Sequence, residues 1–461
     1  MHYEKFQDGT VKCIEDEIPF ELPEGWEWTR LGSVFFTVTG STPSTKDTSL
    51  YGIDYPFYKP ADLDAGYKVF KSESTVSETG YRSGRPLPPH SVLVTCIGAT
   101  IGKTGYIHNA GICNQQINAI LPNTDILSDY TYFCICSQFE QQQILINSSA
   151  TTLPILNKSK FDNLLFPVPP HEQQLLIVDK IQGMLTLVNK IQDNQEFLKD
   201  KIIATKSKIL DLAIRGELVP QNPDDEPASV LLERIRAEKE ELIKQGKIKR
   251  DKKESVIFKG DDNSYYLRSE SKAIETTNEL PYEIPDSWEW ARIGDVLQVN
   301  PRNKIEDLLE VSFIPMPLID DGFSGKHTSE VRVWEKVKSG FTPFMEGDIG
   351  IAKITPCFEN RKSVVFRNLK NGYGAGTTEL HILRPYASTI LPEYILAYVK
   401  SSMFIGKGKQ EFTGAVGQQR IGKDYVENSC FPIPPFAEQT RIVEQIHIAY
   451  KQLDLISNAL L

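Results

Sequence analysis

The chain has 461 residues, 40% hydrophobic and 24% charged, with a formal net charge of −10. That is ordinary globular composition, too long for one core and about right for two or three domains. The acidic balance counts against a protein that grips nucleic acid alone, and no apolar run approaches the ~20 residues of a membrane span.

The first ten residues, MHYEKFQDGT, carry no apolar signal core. The seven cysteines form no CxxC pair, which predicts reduced thiols in a cytoplasmic protein. The seven histidines are scattered and no HExxH occurs, so no metal site is expected. Residues 1–21 read as a polar, irregular extension. A first globular unit spans 22–170 and opens LPEGWEWTRLG. Within it, residues 91–97 (SVLVTCI) are β-rich, and a helix is expected near 130–143. The tract GATIGKT at 98–104 approaches a P-loop. It has three residues rather than four between Gly98 and its glycine–lysine pair, so a hairpin turn is expected there.

Residues 171–220 predict one long helix. Ile177, Ile181, Met184, Val188, Ile191, Leu198, Ile202, Ile209 and Leu212 step by fours and threes, with Gln195 and Thr205 in the skipped places. That 3.5-residue period is a coiled-coil seam. Glu172 suits the positive helix start, and Gly216 suits a left-handed stop. The rod would be roughly 65–70 Å long. Residues 221–280 follow as a charged helix and linker. Ser229 is expected to cap the helix. The basic run Lys247, Lys249, Arg250, Lys252 and Lys253 reads as a solvated helix end, and 254–278 as a flexible linker.

The chain then repeats. Trp288 and Trp290 match Trp26 and Trp28 at an offset of 262, Leu391 and Tyr394 match Leu127 and Tyr130 at 264, and Pro432 matches Pro167 at 265. In that last register Ile442, Ile446, Ala449, Leu453 and Ile456 fall on Ile177, Ile181, Met184, Val188 and Ile191. This is an internal duplication: a second globular unit at 281–435 and a second spacer helix at 436–461. The fold class predicted is α+β. Two tandem mixed α/β units, mainly antiparallel, are each followed by a long helix, and the two helices pair as an antiparallel coiled coil. The second helix stops halfway along its counterpart. Leu198, Ile202, Ile209 and Leu212 are therefore expected to form an uncovered docking seam.

No catalytic constellation emerges. Ile433-Pro434-Pro435-Phe436 approaches the Asn/Asp-Pro-Pro-aromatic box of amino-methyltransferases. Ile433 cannot accept a bond from a base amino group, and neither can Val168 in the first copy.

The two copies, with their boxes PPHEQQLLIVDKI and PPFAEQTRIVEQI and the tract LDLAIRGELVP at 210–220, resemble the specificity subunit of type I restriction–modification systems. The resemblance implies that each globular unit is a target recognition domain reading one half of a split sequence in double-stranded DNA. It implies that the helices dock methylation subunits, two of them, which restriction subunits join. S-adenosylmethionine, ATP and Mg²⁺ would belong to those partners, with no cofactor, catalytic residue or membrane contact in this chain. The rival classes are a coiled-coil scaffold with two binding modules and a fused methyltransferase–specificity protein.

Base edges are read by Arg, Lys, Asn, Gln, Ser or Thr on loops. The candidates in the first unit are Ser41, Thr42, Lys46, Lys103, Gln115, Gln116 and Asn118. In the second they are Arg302, Asn303, Lys304, Lys353, Arg361, Lys362, Gln418, Gln419 and Arg420.

Overall fold

The computed structural model describes all residues except 7, 150–152, 251–254, 270–271, 387–388, 416 and 461. Lys252 and Lys253 of the basic run lie outside the described residues. Two compact units, Met1–Gln192 and Asp193–Leu461, divide the chain inside the long helix His171–Arg215.

In the first unit the tryptophan strand Glu27–Arg30 pairs antiparallel with Leu165–Val168, setting Trp28 opposite Pro167. A four-stranded antiparallel sheet runs in the order Thr37–Thr39, Ile117–Ile120, Val92–Thr95, Thr104–Tyr106. Its inner strand Val92–Thr95 is buried on both faces, as is its inner neighbour Ile117–Ile120. Val92 and Val94 pack with Tyr130, Phe161 and Phe166, while Leu93 packs with Tyr58, Leu63 and Ile117. That explains a continuous apolar run where a half-exposed strand would alternate. In a further sheet Tyr51–Tyr58 runs parallel to Ile112–Cys113.

The second unit repeats this plan. Glu289–Arg292 pairs with Cys430–Ile433, Trp290 opposite Pro432. Its four-stranded sheet has the order Leu297–Val299, Leu380–Pro385, Ile349–Ala352, Ser363–Val365, and Glu310–Ile314 runs parallel to Tyr373–Gly376. The helix expected near 130–143 is two helices, Ser128–Ile135 and Gln138–Asn147. They are separated because the Ser137 side chain accepts from Glu140 N and starts the second. Ser401 does the same for Phe404 N between Pro392–Val399 and Ser402–Gln410.

The long helix has 45 residues, or ~67 Å. It stops as its sequence predicts: Gly216 has φ +75° and Glu217 N donates to Leu212 O at 3.0 Å. The closing helix is Phe436–Ala459. Three expectations are corrected. Residues 1–21 hold a hairpin, Tyr3–Lys5 with Val11–Cys13, and Glu4 and Glu17 clasp Arg30 at 2.7 and 2.8 Å. The stretch read as a flexible linker is a three-stranded sheet, Ser255–Lys259, Tyr265–Ser269 and Lys272–Glu275. Its β-branched and aromatic residues around the Gly260–Asn263 turn carried that signal. The charged helix starts at Ala228, where Pro227 occupies the cap position and Ser229 lies inside the helix.

The docking seam also differs. Within the second unit Ile202 is only 9% exposed, Ile209 and Leu212 are half-buried, and Leu198 alone of the four is 41% exposed. The last turns of the long helix bury Leu210, Ala213 and Ile214, a globular face rather than the heptad one.

Candidate nucleic-acid interface

The boxes that repeat most closely latch each helix start to its own globular unit. Gln174 Oε1 accepts from Leu127 N at 2.8 Å, and its Nε2 donates to Pro169 O at 3.0 Å. In the second copy Gln439 accepts from Leu391 N at 2.9 Å and donates to Pro434 O at 3.1 Å. One residue earlier, Trp26 Nε1 donates to Gln173 Oε1 at 2.6 Å and Trp288 Nε1 to Glu438 Oε2 at 2.9 Å. Tyr130 and Tyr394 donate to Pro167 O and Pro432 O. Each frame is thereby fixed, and its loops are free to differ.

Several loops meet at one end of the first unit's sheet. Ser41 N donates to Cys113 O at 2.9 Å, and the Thr42 hydroxyl donates to Gln115 Oε1. The 40–42 turn needs its glycine: a Cβ on Gly40 would stand 2.1 Å from Asn114 O. Cys96 N donates to Gln116 O, and Gly98 N donates to Pro154 O, which brings in the stretch around Ile155. Residues 98–103 connect the strands Val92–Thr95 and Thr104–Tyr106 as a hairpin. The same bonds recur in the second unit: Lys353 N to Glu379 O, Thr355 N to Gln419 O, and Ala352 N to Lys362 O, the counterpart of Thr95 N to Lys103 O. Lys103 and Lys362 thus hold equivalent places.

Side chains on these loops fall into three groups. Thr42, Lys46, Gln115, Arg302, Lys304 and Gln418 are exposed. Among the described residues Lys46, Arg302 and Lys304 have no ion pair. A second group is half-buried or engaged. Lys103 Nζ lies 2.6 Å from Asp64, and Gln116 Oε1 accepts from Asn114 at 2.9 Å. Lys362 Nζ donates to Met316 O at 3.3 Å, Asn303 Oδ1 accepts from Arg384 at 2.9 Å, and Ser41, Lys353 and Gln419 are half-buried. Arg420 grips Glu379 with two bonds of 2.9 Å, which holds the Glu379 carboxyl below its usual range.

The third group is two candidates that are corrected. Asn118 is 2% exposed inside the sheet and accepts from Thr39 at 2.7 Å, because it sits on a central strand rather than a loop. Arg361 turns inward, donating to Lys400 O at 2.9 Å and to Ser207 Oγ of the long helix at 3.4 Å. The candidates also omit the stretch around Ser149 and Ile155. Those two residues form the bridge that Thr413 and Arg420 form in the second unit, and the offset of 265 already placed Arg420 on Ile155.

Among the described residues no helix is long and apolar enough to cross a membrane. One cluster, His2, Glu15 and Glu21, brings ligand-type atoms within 4.8 Å of one another. It is an exposed ion-pair group in the N-terminal hairpin, with His2 Nδ1 3.1 Å from Glu15.

Residues 23–197 match the family model of the type I restriction modification DNA specificity domain. The chain is 48% identical over 236 residues to the specificity subunit of the type I restriction enzyme EcoAI of Escherichia coli, a match covering 51% of this chain but 37% of that relative. The match therefore spans well under half the length of that relative. The crystal structure of the HsdS subunit from Thermoanaerobacter tengcongensis is similar at TM-score 0.52 and 17% identity, covering 96% of this chain and 94% of that one. A structure from work on complex assembly and conformational transition of the type I R-M system is similar at TM-score 0.57 and 17% identity, with the same coverage. The last two likenesses concern the fold. This chain is thus similar over residues 23–197 to the type I restriction modification DNA specificity domain and, over about half its length, to a type I restriction enzyme specificity subunit.

Proposed function

We propose that this chain is the non-catalytic, sequence-reading subunit of a cytoplasmic type I restriction–modification complex. Each unit reads one half of a two-part target in double-stranded DNA. The carrying observation is the repeated frame: one sheet order and one set of latches support two loop clusters whose side chains differ. Two different readers on similar frames are what a split, asymmetric target requires.

The two helices are proposed to run antiparallel as the spacer. What supports a pairing of the two helices is that they meet at Lys206, whose Nζ lies 2.5 Å from Asp454 and whose carbonyl accepts from the Tyr450 hydroxyl at 2.9 Å; the antiparallel direction follows from the duplication. Two methylation subunits would dock on the helices, and restriction subunits would join them. Exposed Met184, Val188, Ile191 and Leu198 at heptad spacing support that docking. S-adenosylmethionine, ATP and Mg²⁺ would be bound by those partners, which also explains how a chain of net charge −10 meets DNA. The test is an exchange of residues 22–168 for the same unit of a relative, followed by genome-wide mapping of methylated bases. One half of the methylated motif should change and the other remain. Loss of specificity in both halves would overturn the reading.

A further inference from the structure

Arg361 occupies a place that glycine holds in the first repeat. The bond from Ala352 N to Lys362 O corresponds to that from Thr95 N to Lys103 O, so Arg361 matches Gly102. Both are left-handed, Gly102 at φ +87° and Arg361 at φ +56°. Such a backbone is free for glycine and costly for arginine.

The arginine side chain accounts for that cost. Arg361 Nε donates to Lys400 O at 2.9 Å, Nη2 donates to Ser207 Oγ at 3.4 Å, and the guanidinium lies 5.0 Å from the Phe323 ring centroid. Lys400, 2% exposed, donates in turn to Arg361 O at 2.8 Å and Gly322 O at 2.6 Å. The neighbouring helix start is tied to the same stretch of the long helix, with Ser402 N donating to Asp211 Oδ1 at 3.1 Å and the Ser402 and Ser207 hydroxyls 2.6 Å apart. Ser207 and Asp211 are four residues apart, on one helix face. The first repeat has Cys136 where the second has Lys400, since both precede the capping serine.

A second attachment lies near the helix end, where the Tyr282 hydroxyl donates to Ile214 O at 3.0 Å and Arg215 covers the Tyr282 ring at 5.0 Å. Ile214 and Ser207 are about two turns apart, or roughly 10 Å. Ties spread along the helix from Lys206 to Ile214 fix its direction on the unit, and loosening those at Ser207 and Asp211 widens the range of angles it can take. From Ser207 back to His171 the helix runs ~54 Å. A pivot of only ~5° would move its far end by roughly 5 Å, more than the ~3.4 Å of one base-pair step.

Resting on the proposed function, we infer that Arg361 and Lys400 form the joint that sets the angle of the long helix on the second recognition unit. They are positioning residues for the spacer between the two half-sites and do not read DNA themselves. The test uses the full chain co-expressed with its methylation subunits, with methylated bases mapped genome-wide. The wild-type complex should methylate one two-part motif with a single spacer length. Arg361→Gly removes the tie while giving the backbone the residue it favours, so the unit stays folded. Methylation of sites with a spacer one base pair longer or shorter should rise about tenfold, equivalent to ~1.4 kcal/mol of lost discrimination, with both half-site sequences unchanged. The double change Ser207→Ala, Asp211→Asn, made from the helix side, should broaden the spacer in the same way.

A single spacer length kept by either variant overturns the inference. So does an altered half-site sequence, or complete loss of methylation while hydrogen exchange shows the second unit folded. A wild-type complex that methylates no two-part sequence sinks the functional reading itself, a separate failure seen before any variant is made.

Discussion

The two repeats share a frame and differ in the charges they hide. At the break between paired helices, the first unit buries an acid and the second a base. Glu140 is fully buried, with its carboxylate accepting from Gln143 at 3.1 Å, and Phe404 takes its place in the second unit. Lys400 is buried against two carbonyls, and Cys136 takes its place in the first. Burial pushes the Glu140 carboxyl well above its usual range and pulls the Lys400 ammonium down to about 7. A duplicated frame therefore tolerates either sign at this break. Among the described residues, only in the second repeat does the buried charge belong to a network that reaches the long helix.

The latches differ in depth, and that gives the largest expected effect. Trp288 is 3% exposed, whereas Trp26 is half-buried. Trp288→Ala should destabilise the second unit by about 3–5 kcal/mol. Trp26→Ala should cost the first unit under about 2 kcal/mol. Hydrogen exchange on the full chain, resolved by unit along a denaturant series, measures both. Equal losses would mean that the two latches are equally deep in solution.

The hidden charges predict opposite pH dependences. The folded pKa of Glu140 lies above its unfolded value of 4.5, so the native state holds the proton longer. The first unit's stability contribution from this group is present at low pH and falls as pH rises from about 4.5. Lys400 is the reverse: its pKa is about 7 folded and 10.5 unfolded, so the native state binds fewer protons between those values. The second unit should gain stability as pH rises through that window, by about 1–3 kcal/mol from pH 7 to 9. Arg361 repels the ammonium, while Asp320 and Asp321 favour it. Lys400→Met should flatten the alkaline slope in the second unit, and Glu140→Gln the acidic slope in the first. A slope that survives its own substitution would locate the titrating group elsewhere.

At the loops the second unit offers the sharper contrast, because Arg420 is already oriented by Glu379. If the second unit reads a half-site as proposed, changing Gln418 and Arg420 to alanine should relax base discrimination in that half-site only, by ~1–3 kcal/mol for each bidentate pairing with a base edge that is removed. Binding measured on targets substituted in each half checks this. A weakening uniform over all sequences would assign these side chains to phosphates.

What the sequence made legible was what repeats. The offsets of 262 to 265 locate both tryptophan strands, both latch boxes and both helices from residues alone, because latching needs the same groups twice. The parts that differ are harder. The heptad period of the long helix runs through to Leu212, yet its last turns bury Leu210, Ala213 and Ile214. A helix end that docks on a globular unit follows the shape it meets, and this one leaves the seam. Asn118 and Arg361 are polar residues at places where the two repeats differ, which makes both resemble readers. One lies on a central strand, and the other occupies a left-handed position that no pattern of hydrophobicity reports.

The smallest expected effect separates charge from hydrogen bonding in the latch. Gln173 serves the first repeat as a neutral acceptor, and Glu438 serves the second as an acid raised above its usual range by burial. The Glu438 carboxylate accepts from Trp288 Nε1 at 2.9 Å and Gln221 Nε2 at 2.6 Å. Arg441 favours its charge and Asp225 opposes it. Glu438→Gln keeps an oxygen for Trp288 and removes a penalised charge, but it turns a second donor toward Gln221. The two effects oppose each other, so the change should cost under about 1 kcal/mol at pH 7. Glu438→Ala leaves Trp288 Nε1 buried without its acceptor and should cost about 1–3 kcal/mol. The linkage sign is that of a raised acid: the native state binds more protons above the unfolded pKa of 4.5, so wild-type stability declines as pH rises through that range. Glu438→Gln should remove this decline. If Glu438→Gln proves as damaging as Glu438→Ala, the charge itself holds the second latch, and the two repeats would close on different chemistry despite their common geometry.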